Sequence, residues 1–116
     1  MTIVRKVEKG KVTIVHSLIE ATTTSAEISC VGYNAILVHT VVTPDKKDMQ
    51  WTTKLQGCMT SGGTFVDWYD GATLMSFQTD SGKAVVWKGV PDFVKVVATE
   101  DADGGKATVT VQPLNV

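Results

Sequence analysis

Residues that do chemistry are scarce in this chain of 116, and each scarcity excludes something. Two cysteines, Cys30 and Cys58, are too few for a disulfide framework. Each lies in a strand-like segment, and cytosolic synthesis favours reduced, buried thiols over a bond between them. The only histidines, His16 and His39, have no Cys or carboxylate beside them at metal-ligand spacing, so each is read as a satisfied core or interface side chain and no metal is expected. No Gly-x-Ser-x-Gly elbow or comparable motif marks a nucleophile. Paired carboxylates can be chosen at will from twelve acids, which is no evidence for glycoside cleavage. Neither an enzyme nor a cofactor is expected.

A surplus of one charge is missing as well. Eleven Lys and Arg stand against twelve Asp and Glu, for a net charge of -1. Arg5-Lys6 and Lys46-Lys47 are isolated doublets, and no basic block exists to neutralise phosphates, so a nucleic-acid partner is not expected. No apolar run reaches bilayer-spanning length. The N-terminal Met1 to Lys9 mixes charged and apolar residues and lacks a signal-peptide core, which predicts synthesis in a cytosol and no membrane partner. Release within an assembled particle remains compatible with that, because a particle needs no signal peptide to leave.

Helical periodicity is absent too; no window of a dozen residues carries a 3.6-residue apolar stripe. What the chain has instead is alternation with a period of two. Val12, Ile14, His16 and Leu18 are expected on one face of a first strand, and Ala21 to Ser25 as a loop or irregular edge. Ala26, Ile28 and Cys30 mark a short second strand ended by Gly32-Tyr33-Asn34. Ala35 to Val42 is apolar on both faces, as in a strand covered from both sides by its own fold or by a neighbouring subunit. Thr43 to Asp48 reads as a loop, its proline barring a central strand. Trp51, Thr53, Leu55, Gly57 and Met59 form a packed row opposite the wetter Thr52, Lys54, Gln56 and Cys58.

Turns at Thr60-Ser61-Gly62-Gly63, Asp70-Gly71 and Asp80-Ser81-Gly82 separate the strands that follow. Val94 to Thr99 and Ala107 to Val111, divided by Asp101-Ala102-Asp103-Gly104-Gly105, predict a terminal antiparallel hairpin. Its acidic turn lacks the further ligands of a calcium loop. The prediction is an all-β protein: one antiparallel β-sandwich of eight to nine strands over residues 11–116, jelly-roll-like in preference to Ig-like, with a barrel third. Residues 1–10 precede it as an N-terminal arm or edge strand.

Aromatics are few, and Trp51, Trp68, Tyr69 and Trp87 are therefore the candidates for binding. Flat rings on sandwich strands stack against sugars, although most such rings belong to cores. Trp68 and Tyr69 are adjacent, so their side chains must point to opposite faces and one of them is exposed or covered by a partner. Trp68, Tyr69 and Trp87 form the candidate glycan-binding set.

Three stretches carry a resemblance: Ser25-Ala26-Glu27-Ile28 leading to Gly32-Tyr33; Lys54-Leu55-Gln56-Gly57 followed by Thr64-Phe65-Val66-Asp67; and Phe93 to Thr99 before the closing strand. Together they resemble the small β-sandwich structural proteins of tailed bacteriophages. The same plan is similar to galactose-binding-like and discoidin-like modules, but the chain has no evident loop cluster of aromatic, Arg and Asn residues. The phage resemblance implies a non-enzymatic virion protein. It would be a capsid decoration or auxiliary subunit, a homo-oligomer whose partners are other virion proteins such as the major capsid or tail protein. A glycan- or receptor-binding module of a tail or fibre is the alternative it implies.

Overall fold

The structure, a computed structural model, describes residues 9–43, 50–101 and 105–116. Twelve strands form among these residues, five of them only two residues long: β1 (Thr13–Ile19), β2 (Thr23–Thr24), β3 (Ile28–Ser29), β4 (Ala35–Thr43), β5 (Trp51–Cys58), β6 (Val66–Asp67), β7 (Tyr69–Asp70), β8 (Thr73–Leu74), β9 (Ser76–Thr79), β10 (Gly82–Lys88), β11 (Phe93–Glu100) and β12 (Lys106–Leu114). The count exceeds eight to nine because turns break the stretches 23–29 and 66–79 into short pieces. The first eight residues of the expected arm, the Arg5-Lys6 and Lys46-Lys47 doublets, most of the 43–48 loop and the middle of the acidic turn lie outside the described residues. Lys9 bridges Leu114, and the Gly10 amide donates to Pro113 O at 2.7 Å.

All pairings are antiparallel, and they build two principal sheets. One sheet runs β1-β12-β4-β10. The other is centred on β11 and β5, with β2 and β3 along the far side of β11 and β6 and β9 along the far side of β5. Between β1 and β5, and again from β10 to β12, the chain alternates between the sheets at each major step. That alternation places successive major strands in opposite layers of a sandwich-like fold.

The inward rows of both sheets make one core. Ile36, Val38 and Val42 of β4 and Ala107, Val109 and Val111 of β12 face Trp51 and Leu55 of β5 and Val94, Val96 and Ala98 of β11. Each such aliphatic side chain, taken fully out of water, contributes about 1.5–3 kcal/mol. Two polar pairs cross between the layers. The Thr40 and Thr53 hydroxyls lie 2.8 Å apart, and the buried His16 donates from Nε2 to Val96 O at 2.9 Å. The carbonyl can only accept, so Nε2 carries the proton.

Two expectations need correction. The terminal hairpin does not form: β11 pairs with β2, β3 and β5, whereas β12 pairs with β1 and β4. Both strands carry fully apolar inward rows, and placing them in opposite layers buries those rows against each other's sheets. The first strand does not keep one face either. Its register against β12 shifts between Ile14 and His16 and again before Ile19, so Ile14 is exposed while His16 is buried. Leu18, at φ 47°, is exposed as well.

Candidate functional site

The two outer faces of the sandwich differ in chemistry. On the β11–β5 sheet, Lys54 pairs with Asp67 at 3.0 Å, Gln56 donates to the same carboxylate at 3.2 Å, and the Lys95 ammonium sits 4.6 Å from the centre of the Phe65 ring. This face is charged, and Lys54 and Lys95 each have a partner within the chain. Hydrogen bonds from Lys54 and Gln56 hold the Asp67 carboxyl below its ordinary 3.8.

The outer face of the β1-β12-β4-β10 sheet is neutral. The register aligns Gly82, Val41 and Thr108 in one cross-strand row; Ala84, His39, Thr110 and Ile14 in the next; and Val86, Leu37 and Gln112 in a third. None of these ten positions carries an Asp, Glu, Lys or Arg. Ile14 is 63% exposed and Val86 44%. Leu37 and Val41 are half-buried by their neighbours, and His39 is exposed. Among the described residues charge stands at the rim, in Lys88 and in the Lys106–Glu20 pair at 3.1 Å. The doubly apolar β4 is therefore covered on its inner side by its own fold, while on its outer side Leu37 and Val41 are only half-buried and His39 is exposed. Depletion of charge at the centre of a patch, with charge at the edge, is the composition of an interface core.

The three candidate glycan residues are not brought together as one exposed platform. Trp68 is half-buried against the core; its Nε1 donates to Gly89 O at 3.0 Å, and its backbone amide donates to Leu55 O at 3.0 Å. Trp87 is half-buried as well, tilted at 48° against Phe77 with ring centroids 5.7 Å apart. Tyr69 opens the β7–β8 hairpin, whose turn Gly71 takes at φ 62°, and it is 52% exposed. Adjacent Trp68 and Tyr69 thus part as alternation requires, one inward and one outward.

Among the described residues no three His, Cys, Asp or Glu side chains gather as metal ligands. Cys30 and Cys58 are both free thiols. Cys30 is buried just beyond β3, and burial, followed by the nearby Asp92, pushes its thiol up to about 11, which suppresses the reactive thiolate. A groove of about 280 Å³ between Lys11, Glu27, Ile28, Tyr33 and Pro113 contains a carboxylate, but that carboxylate is engaged. Glu27 accepts from the Gly62 amide at 2.7 Å and the Ser61 hydroxyl at 2.6 Å. These two bonds lower its pKa from the ordinary 4.5, the amide contributing most. Glu27 ties the 60–63 turn to the segment before β3. Sequence reasoning missed this tie, which joins positions 35 residues apart.

The two depressed carboxylates give a pH dependence. A carboxyl whose folded pKa lies below its unfolded value stabilises the fold above the unfolded pKa, and the contribution fades as pH falls through the folded one. Glu27→Gln should therefore melt below the native protein at pH 7, with the gap closing under about pH 4. Thermal melts at a series of pH values check this; a gap that stays constant into acid removes the ionised Glu27 from the account.

No protein-family model and no curated protein matches the sequence. Among solved structures, a chain of the disulfide-linked pili of Bacillus endospore appendages is similar at a TM-score of 0.42 and 11% identity, over 100% of this chain and 98% of that one. That score is too low to argue from. The SPBc2 prophage-derived protein YomS is similar at a TM-score of 0.67 and 11% identity, covering 98% of this chain and 100% of that one. At that identity the likeness shows the fold alone: this chain has an all-β sandwich similar to that of a prophage-derived protein over nearly the whole length of both.

Proposed function

We propose that this chain is a non-enzymatic structural subunit of a phage-type particle, a decoration or auxiliary protein that docks on the assembled shell through the outer face of the β1-β12-β4-β10 sheet. The observation that carries the reading is the neutral face itself. Ten aligned positions without an Asp, Glu, Lys or Arg stand opposite a face that carries the Lys54–Asp67 pair and Lys95. The fold similarity to a prophage-derived protein is consistent with it. Docking needs no chemistry. A subunit that binds only the assembled lattice stabilises that lattice by mass action, in proportion to the logarithm of concentration over the dissociation constant. A glycan-binding role for the same domain would rest on Tyr69, the one well-exposed ring of the three proposed.

The test puts charge on the face without touching the core. Ile14→Glu with Val86→Glu alters two exposed side chains, so the fold and its circular dichroism should persist. Sedimentation with virion shells stripped of accessory proteins should weaken by at least about tenfold, a modest share of what central interface positions carry. A double variant that co-sediments as the native protein does would overturn the assignment of this face.

A further inference from the structure

The same sheet ends on an edge whose unpaired backbone has a pattern of its own. β10 pairs with β4 along all seven residues, Gly82 opposite Val41 through Lys88 opposite Ala35, with no bulge, and no described strand lies on its other side. The opposite edge is blunted: β1 has two register shifts and a left-handed Leu18. The outer members of the second sheet, β2, β3 and β6, are two residues each, and β9 is four. β10 is thus the long regular edge among the described residues, the kind that pairs with another chain unless it is guarded.

Two bonds that bracket the ladder fix which groups are open. The Val42 amide donates to Ser81 O at 2.7 Å, and the Gly89 amide donates to Asn34 O at 2.9 Å. In an antiparallel pair, residues alternate in the direction of their backbone groups. Ser81, Lys83, Val85, Trp87 and Gly89 therefore turn toward β4, and Gly82, Ala84, Val86 and Lys88 turn their N–H and C=O groups outward. Those four are symmetric about Val85.

We propose that β10 pairs antiparallel with β10 of a second copy about a twofold axis at Val85, fusing two four-stranded sheets into one of eight. In that register Ala84 meets Val86 of the partner subunit, Gly82 meets Lys88 of the partner subunit, and their symmetry mates do the same. Every outward N–H and C=O of both strands is then used, for about eight hydrogen bonds. Charges are compatible: Lys83 lies opposite Trp87 of the partner subunit, and no lysine faces another. The Lys83 ammonium already lies over its own Phe77, 6.0 Å from the ring centre, and so leans away from the open edge. The neutral rows through Ala84 and Val86 run on across the seam, doubling the face. The pairing goes beyond the docking reading and does not depend on it, since the edge acts whatever the face binds.

The experiment measures mass and register separately, with no shell present. Gel filtration with light scattering at about 100 µM should give twice the 12.5 kDa of one chain. Ala84→Pro removes one outward N–H and none that faces β4, a position that edge strands tolerate; it should return the mass to a single chain with an unchanged circular dichroism spectrum. Val85→Cys in a Cys58→Ser background places two thiols directly opposite at the axis, where the Cα separation of about 4.5 Å permits a disulfide. Mild oxidation should yield a covalent dimer on a non-reducing gel. A native mass of one chain, open-ended polymers in place of a closed pair, or failure of Val85→Cys to cross-link would each overturn the proposal.

Discussion

Trp51→Ala should lower the unfolding free energy by about 3–5 kcal/mol, while Trp51→Phe should cost under about 1.5 kcal/mol. Trp51 is fully buried at the start of β5, between Glu100 of β11 and Thr79 of β9 in the ladder, and it is the largest side chain of the core. Truncation to alanine leaves a cavity in a two-layer core that has no third layer to collapse into it. Phenylalanine leaves a smaller void and removes a liability: the indole Nε1–H is buried with no partner among the described residues. A buried unpaired donor costs about 1–3 kcal/mol, so its removal offsets much of the lost contact. Urea unfolding with the slope held constant measures both variants. A cost for Trp51→Phe well above about 1.5 kcal/mol would mean that the indole nitrogen is satisfied.

Gly57→Ala should destabilise by about 2–3 kcal/mol, near the upper end of the usual cost of overpacking. A methyl at Gly57 would sit 2.5 Å from Pro91 Cγ and 2.7 and 2.9 Å from Trp68 Cε3 and Cδ2. Neither neighbour yields easily. The proline is a closed ring, and the indole is anchored by its bond to Gly89 O and by the Trp68 backbone bond to Leu55. A melting temperature about 10 °C below native is the expected readout for a domain of this size. Trp68→Leu in the same chain removes the nearest aromatic atoms, so the two substitutions together should cost less than their sum. Strict additivity would show that the clash is relieved elsewhere.

The packed row of β5 was legible from alternation alone. Trp51, Thr53, Leu55 and Gly57 all point inward as predicted, and Met59 leaves the row only because the strand ends at Cys58. The sequence counted Gly57 into that row but held no sign that an indole from eleven residues on would fill the space above it. The opposed directions of Trp68 and Tyr69 were likewise legible. Which of them is buried was not, because that depends on Leu55 and Gly89, to which Trp68 is bonded.

The neutral face was half visible, in a β4 apolar on both sides. Its other members come from positions near 14, 84 and 110, and only the register aligns them. The terminal hairpin shows the limit most clearly. Asp and Gly between two β-branched runs signal a reversal of direction, but the two runs join different sheets. The same residues do not say whether the returning strand stays in the sheet or steps to the layer opposite.

The sequence by itself determined where strands lie, which side of most of them is apolar, and that no helix competes, because those properties follow from side-chain alternation over a few residues. Tertiary structure alone decided which strands are neighbours, which face is left neutral and which edge is left open. Those depend on contacts between residues as far apart as His16 and Val96, and such contacts follow from the shared burial of two sheets rather than from any local pattern.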